Sequence, residues 1–184
     1  MSEKNTLSAK WWILGLLTPP LVWADLYTKV LIGRKFYPGE HLTVIDGFFD
    51  LMFARNRGAA FGLFNDLSPE MSFVFFIGVS IIALLVLGYL FVSISHYEKY
   101  LGVTITFIFA GALGNFTDRM RLGYVVDFLH FYVKDFYWPT FNVADICITV
   151  GAAMLIYYSI FLEPREDEDE QALPGAQSAE NAGA

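Results

Sequence analysis

Between Met71 and Ser95 the chain runs for 25 residues without a charged side chain. A helix rises about 1.5 Å per residue, so this run exceeds the roughly 30 Å hydrocarbon core of a bilayer and can cross it as one helix. Leu101–Thr117 and Ile146–Leu162 add two uncharged runs of 17 residues each, at the short end of the spanning range. A fourth apolar run starts at Trp11, is interrupted by Pro19 and Pro20, and continues past Asp25 and Lys29 to Ile32. Its two prolines are expected to kink a helix rather than forbid one. No small-x-small cleavage pattern follows it, which argues for a retained span over a signal peptide.

The expected fold class is therefore a membrane all-α protein, a bundle of four transmembrane helices over about 11–32, 71–95, 101–119 and 143–162. Its connections differ in character. The stretch 33–70 is rich in aromatic and β-branched residues, with Leu42 to Ile45 and Phe48 to Ala54 readable as strands around Asp46-Gly47. The stretch 120–142 contains a strand-like run from Tyr124 to Val133 and the aromatic group Phe136-Tyr137-Trp138, suited to a membrane interface. Together these predict a small extramembrane β-sheet. Residues 1–163 read as one membrane domain and residues 164–184 as a disordered acidic tail.

Composition agrees with that reading. Hydrophobic residues make up 55% and charged residues 17% of the chain, against about 45–50% and 25% in soluble domains. Of the formal net charge of −7, the stretch 163–184 supplies −6. The rest is close to neutral and offers no basic patch for a phosphate backbone, so nucleic acid is not expected as a partner. Cys147 is a single cysteine, and His41, His96 and His130 lack metal-ligand spacing, so no metal, disulfide or organic cofactor is expected.

The polar residues carry the functional signal. Alternating spans bring the end of the first, the end of the third and the start of the fourth to one membrane face. Asp25 and Lys29, then Asn115, Asp118 and Arg119, then Asn142 and Asp145 thus converge there, joined by Asn56, Arg57 and Asp127 from the long connections. Charges at membrane depth are costly, and those retained tend to face a bundle interior and mark function. Apart from Asp25 and Lys29 they lie in four stretches, three of which contain Gly or Ala: Asn56-Arg57-Gly58-Ala59-Ala60-Phe61-Gly62, Gly111 to Arg119, Val125-Val126-Asp127-Phe128 and Phe141-Asn142-Val143-Ala144-Asp145.

These stretches, in this order, resemble the lipoprotein signal peptidases, the type II signal peptidases of bacteria. The resemblance runs from about Asp25 to Leu162. It implies a catalytic dyad of Asp127 and Asp145, supported by Asp25, Lys29, Asn56, Asn115, Arg119 and Asn142. It further implies a multi-pass protein of the bacterial inner membrane with cytoplasmic termini and a periplasmic sheet. Its substrates would be diacylglyceryl-modified prolipoproteins, cleaved before the lipidated cysteine in contact with membrane lipids, and its inhibitors globomycin-like cyclic peptides.

Two nearby carboxylates suit peptide hydrolysis, because they share a proton; one activates water while the other polarises the carbonyl. The asparagine amides suit an extended substrate backbone and the orientation of the dyad. Asp25 and Lys29, spaced i, i+4 with the acid first, are expected to pair. Asp118 reads as a weaker catalytic candidate than Asp127, and Cys147 as a packed thiol. A small proton-coupled transporter or channel is the alternative, but no internal repeat is visible and the acids sit at span ends. A Ser/Lys hydrolase based on Lys29 lacks a serine in the motif stretches.

One count runs against the expected orientation. The face with the long connections carries seven Lys and Arg (Arg34, Lys35, Arg55, Arg57, Arg119, Arg121, Lys134) and the opposite face four (Lys4, Lys10, Lys99, Arg165). The positive-inside rule alone would place the long connections in the cytoplasm.

Overall fold

The computed structural model describes residues 9–58, 68–95 and 98–162. The acidic stretch 164–184, residues 59–62 of the Asn56 motif and His96 lie outside them. Helix α1 spans Ala9–Lys35, α2 Pro69–Ser93, α3 Lys99–Leu122 and α4 Val143–Phe161. Strands β1 (His41–Ile45) and β2 (Phe49–Asn56) fill the first long connection, and β3 (Val125–Val133) and β4 (Phe136–Tyr137) the second. The four strands form one antiparallel sheet in chain order, β1-β2-β3-β4.

Among the described residues three helices, α2, α3 and α4, are long and apolar enough to cross a membrane. Helix α1 matches them in length and runs unbroken through Pro19 and Pro20. Lys10, Asp25 and Lys29 of this helix are buried. The prolines remove two backbone donors without ending the helix.

Helix α3 is the centre of the bundle and packs against α1, α2 and α4. Its approach to α4 depends on Gly111, where an added Cβ would collide with the Ala144 carbonyl and the Ile148 side chain. Small residues permit such close helix approach without a hydrophobic driving force from lipid. By contrast, the apolar window of α2 contains no buried residue, and Val74, Ile82, Leu85 and Tyr89 are each more than 60% exposed. Inside a bilayer this surface faces lipid tails.

The sheet hangs from the same end of the bundle. Helix α3 stops at Gly123, whose φ of 77° is the left-handed cap that L side chains avoid. The chain then turns directly into β3, whose Val126 and Phe128 pack with Ile32 of α1 and Phe53 of β2. This small core sets the height of β3, and so of Asp127, relative to the helix ends.

Candidate active site

Helix α4 begins at a capping box. The Asn142 side chain accepts from the Asp145 amide at 3.0 Å, and the Asp145 carboxylate accepts from the Asn142 amide at 3.2 Å. A box satisfies two of the donors that a helix start leaves unpaired. A third, the Ala144 amide, donates to Asp25 Oδ1 of α1 at 2.8 Å. Carboxylates at this end are also favoured by the helix dipole. Asp145 is therefore held by the folding of its own helix start, and α1 is fastened to the same turn.

Asn142 also reaches the other carboxylate. Its Nδ2 donates to Asp127 Oδ1 at 2.6 Å, while Asn56 Nδ2 at the end of β2 donates to Asp127 Oδ2 at 2.9 Å. Asn56 is itself oriented by the Gly58 amide, which donates to its Oδ1 at 2.7 Å. Position along β3 is fixed one residue earlier, where the Val126 amide donates to Asp118 Oδ2 at 3.1 Å. Asp127 is 2% exposed. Burial and the neighbouring Asp145 charge push its ionisation up to about 7, against the opposing pull of the Asn56 and Asn142 amides.

Asn115 joins the two halves from below. Its Nδ2 donates to Asp145 Oδ1 at 2.8 Å, and its Oδ1 accepts from Lys29 Nζ at 2.9 Å and from Asn142 Nδ2 at 3.2 Å. Lys29 Nζ also pairs with Asp25 Oδ2 at 2.8 Å and Asp118 Oδ2 at 3.3 Å. Lys29 thus meets three partners, Asn115 by a hydrogen bond and the two aspartates as ion pairs. Arg119 lies beside the cluster, bonded to the Asn115 carbonyl at 3.4 Å and stacked over Phe76 of α2 with its guanidinium 5.6 Å from the ring centre.

All eight residues singled out in the sequence thus meet in one connected cluster. The amide nitrogens of Asn56, Asn115 and Asn142 each donate to a carboxylate, which suits the orientation of the acids, and those of Asn56 and Asn115 each use one of two N–H donors there. Asp25 and Lys29 pair as expected, but the pair also carries Asn115 and the start of α4. Asp118 is engaged with Lys29 and the Val126 amide, which makes it a positioning group. Its spacing from Asn115 repeats that of Asp145 from Asn142, a signal present in the sequence. Cys147 is buried, in keeping with a packed thiol, and His130 stacks on Tyr132 and Tyr137.

Among the described residues no group of three His, Cys, Asp or Glu side chains is arranged to hold a metal ion. Two carboxylates, one of them with its ionisation raised to about 7, are suited to acid-base work on water and a carbonyl.

A family model described as signal peptidase (SPase) II matches residues 17–161. A lipoprotein signal peptidase of Desulforapulum autotrophicum is 41% identical over 148 residues, covering 80% of this chain and 91% of the relative. One of Geobacter sulfurreducens is 44% identical over 142 residues, covering 77% and 88%. A solved bacterial membrane enzyme, determined by the in meso method, superposes with a TM-score of 0.69 at 34% identity, over 84% of this chain and 94% of that one.

Proposed function

Because the chain belongs to the signal peptidase II family, a bacterial membrane peptidase family that removes signal peptides from prolipoproteins, we propose that it does so as an aspartic endopeptidase with Asp127 and Asp145 as the catalytic pair. The observation that carries the assignment is Asn142, which bonds Asp127 through its amide nitrogen and Asp145 through its capping box. One side chain thereby bonds to both carboxylate-bearing residues.

In this reading the shared proton resides on Asp127. Each carboxylate oxygen has two lone-pair sites, so Asp127 can accept from Asn56 and Asn142 and still carry a proton. Asp145 accepts a proton from water as the water oxygen attacks the scissile carbonyl carbon. Asp127 donates its proton to the carbonyl oxygen. Collapse of the tetrahedral intermediate breaks the C–N bond as one of its hydroxyls returns a proton to Asp127 and the proton gained by Asp145 passes to the leaving amine, so the pair ends as it began. Asn115, itself bonded by Lys29, holds Asp145, and Asp118 holds β3. No cofactor takes part in these steps.

The same proposal assigns four spans, with α1 as the first, and residues 1–163 as the peptidase domain followed by the acidic tail 164–184. It places the chain in the inner membrane with cytoplasmic termini and with the sheet and the acids near the periplasmic face. The substrates are diacylglyceryl-modified prolipoproteins, cut before the lipidated cysteine among membrane lipids, and globomycin-like cyclic peptides inhibit.

Asp127→Asn and Asp145→Asn keep shape while removing the ionisable group. Each is expected to lower turnover of a lipidated prolipoprotein by about 10²–10⁴-fold or more in purified protein, with the double variant little worse than either single one. Substantial turnover in either single variant would refute the pair.

A further inference from the structure

A cavity lies where α1, the end of α3 and the sheet meet. It encloses about 330 Å³, within the size range of small-ligand sites. Its lower wall is apolar, formed by Leu26 and Val30 of α1 and Leu122 of α3. Its mouth carries two guanidiniums, Arg55 of β2 and Arg121 of α3, both exposed. At its inner wall Lys29 and Asp118 are paired with each other and neutralise locally. The lining therefore holds two uncompensated positive charges above a hydrocarbon floor.

We propose that this cavity binds the phosphate-bearing headgroup of an anionic phospholipid, with its acyl chain lying along α1. Three observations support it. Neither Arg55 nor Arg121 makes an ion pair with a carboxylate among the described residues. Arg55 instead lies against Phe53 and Tyr124, its guanidinium 5.7 and 5.0 Å from the ring centres, and such ring contacts do not consume N–H donors that an anion would take. Arginine forks suit bidentate phosphate contacts, and the polar headgroup zone is where such contacts meet lipid. Below the mouth, Trp23, Tyr27 and Val30 form an exposed stripe at i, i+4 and i+7, with the two rings stacked at 4.8 Å. Aromatic side chains of this kind mark the membrane interface, and the stripe offers an apolar track from the cavity into the bilayer.

The proposal also accounts for the excess of basic residues on the face bearing the long connections. Arg55 and Arg121 belong to that excess, and a site for an anionic headgroup gives them a local purpose independent of topology. A free phosphate ion would satisfy the guanidiniums but leave Leu26, Val30 and Leu122 uncovered, which is why a lipid is the preferred occupant.

The test uses the full-length chain in a neutral detergent, presented with equal amounts of phosphatidylglycerol and phosphatidylcholine, with retained lipid read by native mass spectrometry. The wild type is expected to prefer phosphatidylglycerol, and Arg55→Gln with Arg121→Gln to lower that preference about tenfold or more. Lys134→Gln, which removes a charge from the same face outside the cavity, should leave it unchanged. The paired lysine substitutions Arg55→Lys and Arg121→Lys keep the charges but lose the forks, and should leave a preference between those of the wild type and the glutamine pair, which guards against misfolding of the glutamine pair. An unchanged preference in the glutamine pair, or an equal loss in Lys134→Gln, overturns the site. Displacement of the lipid by inorganic phosphate at the same concentration would show a free-anion site and overturn the lipid assignment. None of these readouts depends on peptidase activity.

Discussion

Replacing Asn142 by serine separates its two tasks. Serine is as good a helix N-cap as asparagine, so the bond to the Asp145 amide can be remade and the cap contribution of about 1 kcal/mol retained. Its shorter side chain has no second donor to reach Asp127, and the 2.6 Å bond from Asn142 Nδ2 is lost. A hydrogen bond to an ionised group is worth about 1.5–3 kcal/mol, and this one favours the ionised form of Asp127. Its removal should raise the ionisation of Asp127 above its present value of about 7, by roughly one pH unit or more. The sign follows directly: the variant holds its proton to higher pH, so the alkaline limb of the activity profile moves upward. Freed from one of its two amide partners, Asp127 should also be less well aimed, with kcat/KM falling about tenfold or more. The assay is turnover of a lipidated prolipoprotein across pH 5–9 beside thermal unfolding of the same preparations. Asn142→Ala should lose the cap as well, and so unfold earlier than Asn142→Ser. An Asn142→Ser profile with the wild-type alkaline limb would refute the argument that this amide tunes Asp127.

Two other perturbations probe the frame around the pair. Lys29→Met leaves the buried Asp25 and Asp118 without their common cation, and removing one partner of a buried pair costs about 3–5 kcal/mol; a melting temperature equal to wild type would show that the ammonium is dispensable. Single cysteines at Ile45 and Gly175, in a Cys147→Ser background, should be labelled from the periplasm and the cytoplasm respectively by a membrane-impermeant reagent, and a cytoplasmic Ile45 would reverse the proposed orientation.

Much of this was legible because lipid imposes simple rules. A helix that faces hydrocarbon all round needs an unbroken apolar run, and α2 and α4 stand in the sequence almost at their structural limits. The strands were visible through their β-branched and aromatic runs on either side of Gly47. The buried polar contacts were harder, because periodicity shows that a charge lies on a helix without showing what faces it. Lys10 illustrates the difficulty. In sequence it reads as a charge flanking the first span, yet it is 2% exposed, and its ammonium donates to the carbonyls of Phe91, Val92 and Ile94 at 3.1, 2.9 and 2.7 Å. Those carbonyls are the acceptors left open at the end of α2, and a cation there also complements the helix dipole. No local signal in α1 announces a partner more than 80 residues away.

The ionic cluster beneath the acids bears on why this bundle is not simply filled with leucine. Buried ion pairs seldom add net stability over an apolar replacement of equal volume, since desolvation offsets their attraction. What Lys29 supplies is geometry. A helix start such as that of α4 exposes amides that any nearby acceptor can take, and Asp25 takes the Ala144 amide from a different helix. An apolar residue at position 25 would leave that amide unpaired in a buried site, at a cost of about 1–3 kcal/mol. Asp25 in turn requires a cation, and the same cation fixes Asn115, which bonds Asp145. Asp118 draws on that cation too and sets the register of β3 beneath Asp127. The two carboxylates thus sit on different elements, a helix start and a strand, yet both are referenced to one ammonium group. Such a common reference keeps their separation fixed when either element shifts alone, which is the condition a shared proton imposes.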